Sequence, residues 1–284
     1  FTRLRWKDRR LAKARSFVRR RLGAVSFLNT RPLVYTLERD PVHFDLSYSV
    51  PSRCATELAS GAVDVGLIPT IEYARSAEPY SIAPGVAIAT RGAVLTVRLY
   101  YRGDVQDIEK VALDLSSRTS AALLRILLRE KFALDPVFVD AEPNLGAMLA
   151  TADAALVIGD PVFALLDQEY ESLDLGAEWV EMTGLPFVFA FWTGRAGALD
   201  GAQTQALLEA KIQGLGHIGE IARTYSGEHG GDPVLYERYL QEHIEFDLDD
   251  RALQGLRLFY AKANEHDLIP TVPELRFFAA EDGI

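Results

Sequence analysis

Short apolar runs alternate with amphipathic segments along most of the chain. Runs of about four to eight aliphatic and β-branched residues predict strands, whereas apolar residues three and four apart predict helices. In the first half these patterns predict strands over 21–27, 44–50, 63–69, 86–89 and 94–101, and helices over 32–38, 51–60 and 70–75. The alternation then resumes with strands over 110–115, 136–140, 154–158 and 187–193, and helices over 119–132, 145–150 and 161–168. From Gly201 onward the chain is predicted to be helical, with interruptions over 227–233 and at Pro270 and Pro273.

This alternation predicts an α/β protein whose mainly parallel sheets are covered by helices. Because it restarts midway without a Pro/Ser-rich linker, we predict two βαβ lobes in one chain. The strands over 94–101 and 187–193 bracket the second lobe and are predicted to be the crossover strands of a hinge. The predicted division is a basic extension over 1–21, a discontinuous first lobe over 22–97 and 191–284, and a second lobe over 98–190. A ligand would then lie in the cleft between the lobes.

The composition argues against several classes of protein. Hydrophobic residues make up 49% of the 284 positions and charged residues 25%, as in an ordinary globular chain. The longest apolar runs, such as Phe187–Trp192, are far shorter than the ~20 residues of a membrane span. The one cysteine, Cys54, excludes an intrachain disulfide and a cysteine-based zinc site, and the five histidines are too scattered to predict a metal centre.

Charge is distributed unevenly along the chain. Residues 1–21 hold ten basic residues and one acid, a charge of +9, and the remainder holds 20 basic and 39 acidic residues, a charge of −19. An acidic body repels nucleic acid, so no nucleic-acid partner is expected. Lys13, Arg15 and Ser16 interrupt the apolar residues of the extension, which argues against a secretory signal or a membrane anchor. We expect a cytoplasmic protein whose extension is non-essential or an over-long translation start; a nucleic-acid or membrane-surface arm is the alternative.

Two predicted strand-to-helix turns carry the polar residues that a cleft for an anion requires. Ser116–Ser120 (SSRTS) combines hydroxyls and a guanidinium with free N–H groups at a helix start, and so predicts a cradle for a carboxylate or a phosphate. The alternative is that Ser117 or Thr119 only caps the helix. Ser26–Pro32 (SFLNTRP) contains Asn29, whose amide can both donate and accept hydrogen bonds, or can simply form the turn.

Asp160 is a weaker candidate. It follows Gly159 at the end of a predicted strand, where its carboxylate could bind a ligand or cap the helix opened by Pro161. No Walker-type loop is present and no glycine-rich loop joins a predicted strand to a helix, so no nucleotide cofactor is predicted. No nucleophile elbow supports a serine hydrolase.

Five segments together resemble one known family. They are SFLNTRPL (26–33), GxxDxGLIP (61–69), SSRTS (116–120), IGD (158–160) and WxxxTGLPFVFA (179–190). In this order and spacing they resemble the MqnA family, the chorismate dehydratases of the futalosine route to menaquinone. The resemblance extends from about Arg21 to Trp192 and becomes weaker in the C-terminal helices.

The resemblance implies a fold like the type II periplasmic solute-binding proteins and conversion of chorismate to 3-[(1-carboxyvinyl)oxy]benzoate and water, without a cofactor or a metal. The functional asparagine of the family falls on Asn29. A functional serine, four residues beyond a cleft glycine, falls on Thr96, where threonine keeps the hydroxyl and adds a methyl group. The anion cradle of the family falls on Ser117, Arg118, Thr119 and Ser120, and Asp160 is expected to contact the substrate.

Three other functions remain open from the sequence. A non-catalytic solute-binding protein of the same fold would carry an export signal. The sister dihydroxynaphthoate-forming synthase shares the fold but has a different motif at 26–32. A ligand-sensing domain of a regulator would be accompanied by a recognisable helix-turn-helix, which we do not find.

Overall fold

Strands and helices alternate along the chain much as the apolar runs predict. The computed structural model describes residues 19–39 and 42–279, so that 1–18 of the predicted basic extension lies outside the described residues. The strands are β1 (Arg20–Val25), β2 (Phe44–Ser49), β3 (Val65–Pro69), β4 (Tyr80–Thr90), β5 (Val97–Tyr101), β6 (Lys110–Asp114), β7 (Val137–Ala141), β8 (Ala154–Ile158), β9 (Glu171–Asp174) and β10 (Phe187–Arg195).

The α-helices are α1 (Arg31–Arg39), α2 (Pro51–Ser60), α3 (Thr70–Arg75), α4 (Thr119–Glu130), α5 (Leu145–Leu149), α6 (Leu175–Thr183), α7 (Gly201–Leu215), α8 (Ile218–His229), α9 (Pro233–Arg238) and α10 (Asp250–Glu265). Three short 3₁₀ helices cover Leu28–Thr30, Val105–Asp107 and Asp160–Leu165, and a π-helical turn covers Tyr239–His243.

The strands form two five-stranded sheets, one in each lobe. The first sheet has the order β2-β1-β3-β10-β4 and the second has the order β7-β6-β8-β5-β9. In each sheet three strands pair in parallel, and the remaining two are antiparallel to their neighbours. The two-lobed α/β fold is therefore confirmed, but the sheets are mixed rather than mainly parallel. The antiparallel pairs involve β4, β5, β9 and β10. These are the strands next to the two passages of the chain between the lobes.

The passages between the sheets are short segments. The chain leaves the first sheet after Thr90 and enters the second at Val97; it leaves the second lobe after α6 and re-enters the first sheet at Phe187. Each of the two predicted crossover strands therefore begins where a passage ends and then belongs to one sheet. The predicted strand over 94–101 is shorter, because its first three residues form a tight turn instead of pairing in the sheet.

One strand and one α-helix of the second lobe were not predicted. β9 is an edge strand of four residues without a clear alternation, and α6 begins at the capping side chain of Asp174, which accepts hydrogen bonds from Gly176 N and Ala177 N. The predicted helix over 161–168 is instead the 3₁₀ helix Asp160–Leu165.

The C-terminal helices pack on the first lobe. α7 lies against α1, and a Cβ atom on Gly214 would lie 1.9 Å from the carbonyl oxygen of Pro32, so that only glycine allows this approach. Gly214, Gly216 and Gly219 have the spacing of a dinucleotide-binding motif, but they lie where α7 meets α8 rather than after a strand. Within residues 19–39 and 42–279, no helix combines the length and the apolar character that crossing a membrane requires.

Candidate active site between the lobes

A cavity lies between the two lobes and is lined by residues of both. Its walls are mostly apolar, and its polar groups come from the predicted turns. The residues that line it are Val25, Phe27, Asn29, Pro51, Pro69, Ile88, Val94, Thr96, Val97, Ser116, Ser117, Arg118, Thr119, Ser120, Ile158, Gly159, Phe189 and Ala190. The structure therefore brings Asn29, Thr96 and the Ser117–Ser120 segment together around one space.

Asn29 is presented to the cavity by the turn between β1 and α1. The 3₁₀ helix Leu28–Thr30 continues directly into α1, which fixes the backbone of Asn29. Its Nδ2 donates a hydrogen bond to the hydroxyl of Tyr239 over 3.1 Å. Its Oδ1 is buried and has no partner among the described residues. A buried acceptor left open costs about 1–3 kcal/mol, so this oxygen is placed to accept a hydrogen bond from a ligand.

Thr96 is presented by a tight three-residue turn. Its N–H donates to the carbonyl oxygen of Val94 over 2.8 Å, and Leu95 between them has a φ of 68°. Such a γ-turn is rare and strained for a residue other than glycine. The carboxylate of Asp174 stabilises it by accepting from Val94 N over 2.9 Å and from Leu95 N over 2.7 Å. The Thr96 hydroxyl lies 2.9 Å from the hydroxyl of Tyr239.

The N-terminus of α4 forms the end of the site that is suited to bind an anion. The first N–H groups of a helix have no acceptor within the helix, and its dipole favours negative charge there. The Oγ of Ser117 lies beside this terminus, 95% of Ser117 is buried (5% exposed), and the oxygen has no partner among the described residues. The hydroxyl of Thr119 accepts from Ile71 N over 3.2 Å, so it ties the turn to the first lobe and does not cap α4.

Arg118 lines the cavity, and its guanidinium is already paired. Its Nη1 lies 2.5 Å from Oε2 of Glu72 on α3, and its Nη2 donates to the hydroxyl of Thr56 over 3.4 Å. These contacts join the second lobe to the first at the mouth of the site. An anion that Arg118 binds must share the guanidinium with Glu72.

Asp160 does not line the cavity. Both oxygens of its carboxylate share the N–H of Leu28, at 3.1 and 3.0 Å from the nitrogen, and Oδ2 also accepts from the hydroxyl of Tyr225. Burial raises the pKa of Asp160, although these hydrogen bonds oppose the shift. The residue connects the end of β8 to the turn that carries Asn29, so its position fits interlobe contact better than direct contact with a ligand.

The lobes approach closely at Gly159. This residue has a φ of 71° and a ψ of −156°, a conformation that essentially only glycine adopts. A Cβ atom here would lie 2.4 Å from the ring of Phe27 in the opposite lobe. The structure thus shows the two lobes closed over the cavity.

The ionisable groups at the cavity define what chemistry it can support. Among the described residues that line it, Arg118 is the one that carries a charge, and there is no carboxylate, histidine or lysine to act as a general base. The described part of the chain contains no cluster of three or more His, Cys, Asp or Glu side chains that could hold a metal ion. The arrangement can bind an anionic, largely apolar molecule and orient it by hydrogen bonds.

Tyr239 completes the polar arrangement and was not predicted from the sequence. It lies in the C-terminal helices, outside the segments that carry the family resemblance. Its side chain is fully buried, and burial raises the pKa of its hydroxyl. A lone tyrosine in a helical segment has no local pattern that distinguishes it from a core residue.

The two lobes, the mixed sheets and the interlobe cavity define a protein of the periplasmic-binding-protein-like fold. A protein from Archaeoglobus fulgidus superposes with a TM-score of 0.74 at 16% identity, covering 88% of this chain and 98% of that one. The periplasmic aliphatic sulphonate binding protein SsuA from Escherichia coli superposes with a TM-score of 0.65 at 17% identity, covering 93% of this chain and 94% of that one. At these identities the likeness shows the fold alone.

Sequence comparison identifies the family. The profile of a family described as menaquinone biosynthesis matches residues 20–265, and the chain belongs to this family. The chorismate dehydratase of Thermus thermophilus is 32% identical over 256 residues, which cover 84% of this chain and 93% of that protein. The chorismate dehydratase of Campylobacter jejuni is 29% identical over 175 residues, 59% of this chain and 64% of that protein.

Proposed function

We propose that this protein is a chorismate dehydratase, a hydro-lyase that converts chorismate to 3-[(1-carboxyvinyl)oxy]benzoate and water. Family membership and the likeness to two chorismate dehydratases support the activity. The observation that carries the proposal for the site is a largely apolar cavity that has the N-terminus of α4 and its hydroxyl groups at one end, with no general base among the described residues that line it. A cytoplasmic location remains a prediction.

The substrate has a carboxylate on a cyclohexadiene ring and a second carboxylate on its enolpyruvyl side chain. In our proposal the helix terminus at Ser117–Ser120 binds one carboxylate through N–H groups and hydroxyls, and the ring lies between the apolar walls. The body of the protein is acidic, so a dianion depends on such local donors rather than on a general positive field.

The reaction needs orientation more than chemical assistance. The C3 proton is acidified by conjugation of the ring diene with the ring carboxylate. As the C3–H bond breaks, its electrons form the last double bond of the aromatic ring and the C4–O bond breaks. Aromatisation drives this elimination, so the protein has to hold the reacting groups in place.

We further propose that Asn29 and Thr96 orient the substrate and that the enolpyruvyl carboxylate takes the C3 proton. An amide is not basic, which excludes Asn29 as the base, and the described lining contains no carboxylate, histidine or lysine that could take the proton. The proton then leaves with the C4 hydroxyl as water. Hydrogen bonds from the protein to the departing oxygen stabilise the charge that develops on it.

Turnover of chorismate tests the proposed function. Incubation of the protein with chorismate is expected to change the ultraviolet absorbance and to give a product lighter by one water in the mass spectrum. Binding of chorismate without turnover would instead indicate a solute-binding protein. An analogue without the enolpyruvyl carboxylate is expected to bind without reacting, and its turnover at the normal rate would contradict the proposed role of that carboxylate.

Arg118→Ala is expected to raise KM about 10- to 150-fold with a smaller effect on kcat. A charge-assisted hydrogen bond to a carboxylate far from C3 and C4 is worth about 1.5–3 kcal/mol and acts equally in the ground and transition states. Ser120→Ala is expected to act in the same direction but less, because the backbone N–H groups remain. Steady-state kinetics measure both.

Glu72→Gln is the matched control, because it removes the charge that Arg118 faces and keeps the shape of the side chain. If Arg118 binds the substrate, this variant leaves KM unchanged or lowers it, since the guanidinium is freed. An equal rise of KM in both variants would show that Arg118 acts only by joining the lobes. Unchanged KM in Arg118→Ala would confine the cradle to the backbone and the hydroxyls.

A further inference from the structure

The hydroxyl of Tyr239 lies between the two polar side chains proposed to orient the substrate. It is 3.1 Å from Nδ2 of Asn29 and 2.9 Å from the hydroxyl of Thr96. The tyrosine is completely buried, and its oxygen is not part of the cavity lining. It therefore reaches a ligand only through its two neighbours.

The donors and acceptors of this trio have one consistent direction. The amide nitrogen of Asn29 can only donate, so the Tyr239 oxygen accepts from it. Either oxygen could donate across the contact between Tyr239 and Thr96, but only donation from Tyr239 to the Thr96 oxygen gives the buried tyrosine proton an acceptor among the described residues. The proton of the Thr96 hydroxyl is consequently free to point into the cavity, and Oδ1 of Asn29 stays open as an acceptor. Burial raises the pKa of the Tyr239 hydroxyl, so the tyrosine stays protonated. This argues against proton relay through Tyr239.

The position of Tyr239 is fixed from both lobes. It begins the π-helical turn that ends at His243, whose Nδ1 lies 2.9 Å from the carbonyl oxygen of Ala93 in the passage that carries Thr96. The ring of Tyr239 packs edge to face against the ring of Phe163 in the second lobe, with the ring centroids 5.1 Å apart. π-Helical turns are rare and occur frequently at functional sites.

We propose that Tyr239 is a positioning residue that makes Thr96 a hydrogen-bond donor to the substrate and holds Asn29 with its carbonyl oxygen toward the substrate. This role rests on the proposed dehydratase activity. In that reaction the donated hydrogen bond goes to the departing C4 oxygen, where negative charge develops. Without the tyrosine hydroxyl, Thr96 is free to turn its proton away from the C4 oxygen of the substrate. We therefore expect loss of the tyrosine hydroxyl to lower kcat.

Tyr239→Phe tests the proposal, since it removes the hydroxyl and keeps the ring. We expect kcat to fall about 10- to 100-fold and KM to change less than about threefold. Tyr236→Phe is the matched control, because it removes a tyrosine hydroxyl that is bonded to the carbonyl oxygen of Gly230 over 3.1 Å and lies on a residue outside the cavity lining. The control is expected to keep the kcat of the wild-type protein. Its loss of thermal stability is expected to equal that of Tyr239→Phe. Equal kcat in the two variants would overturn the proposal.

A double-mutant cycle distinguishes positioning from a general structural effect. Thr96→Val removes the acceptor of the Tyr239 proton, so adding Tyr239→Phe to it is expected to lower kcat less than about threefold further. Independent, multiplicative losses in kcat would show that Tyr239 does not act through Thr96.

A measurement without turnover separates this proposal from the proposed function. The side-chain amide signal of Asn29 in ¹H–¹⁵N spectra, assigned by its loss in Asn29→Asp, is expected to shift in Tyr239→Phe and in Thr96→Val but not in Tyr236→Phe. If wild-type protein fails to convert chorismate while these shifts occur, the proposed function fails and the hydrogen-bonded trio stands. If the signal does not move in the first two variants, the positioning role is wrong whatever the activity.

Discussion

Asn29→Asp is expected to lower kcat/KM for chorismate about 100-fold while leaving the fold intact. The carboxylate has no proton to donate to the Tyr239 hydroxyl, so the tyrosine would turn its own proton toward the new side chain and away from Thr96. It also adds a negative charge where a dianionic substrate binds. Together these effects are worth about 3 kcal/mol, and each 1.36 kcal/mol is tenfold in rate. Steady-state kinetics with chorismate measure the effect.

Asn144→Asp provides the same substitution outside the site. Asn144 is exposed at the start of α5, where its side chain accepts from Ala147 N over 3.0 Å, and aspartate caps a helix as well as asparagine does. This variant is expected to keep both activity and stability. Near-normal kcat/KM in Asn29→Asp would remove Asn29 from the proposed site.

Gly159→Ala is expected to reduce turnover at least tenfold by preventing full closure of the lobes. The added methyl group would overlap the ring of Phe27, which lines the cavity, and the backbone conformation of Gly159 is strained for any other residue by about 1–3 kcal/mol. Small-angle scattering with saturating product is expected to show a larger radius of gyration than for wild-type protein.

Gly103→Ala is the control for backbone strain alone. Gly103 is exposed, has a φ of 77°, and a Cβ atom there would meet no atom within 4 Å. Both variants are expected to lose thermal stability, but only Gly159→Ala is expected to lose turnover. The same turnover in the two variants would contradict the closure argument.

Local patterns in the sequence predicted the elements that carry the site. The strand that ends before Ser116 and the helix that begins at Thr119 follow from apolar periodicity, and the hydroxyl-rich turn between them follows from what a helix start requires. Asn29 was likewise found because it lies at a strand-to-helix turn, where strand ends of the first sheet meet the cavity.

Contacts between distant segments could not be predicted in the same way. Asp160 is 132 positions from Leu28, whose N–H donates a hydrogen bond to the Asp160 carboxylate. Nothing near Asp160 in the sequence indicates that partner. Tyr239 is 210 positions from Asn29 and lies where the family resemblance is weak. The tight turn before Thr96 could not be predicted, because residues 94–101 (VLTVRLYY) are rich in residues of high strand propensity and the contact of the turn with Asp174 is tertiary.

The hydrogen bond between Thr96 and Tyr239 also has a consequence for selectivity. Thr96 is tied to the second lobe, since its carbonyl oxygen accepts from Gly159 N over 2.8 Å, whereas Tyr239 and Asn29 belong to the first. In the proposed mechanism the trio is complete only when the lobes are closed. A competing metabolite that binds one lobe but cannot draw the other onto it would occupy the protein without meeting the full set of donors. Discrimination against such compounds would then be expressed in reaction rate rather than in affinity, as in enzymes that use induced fit.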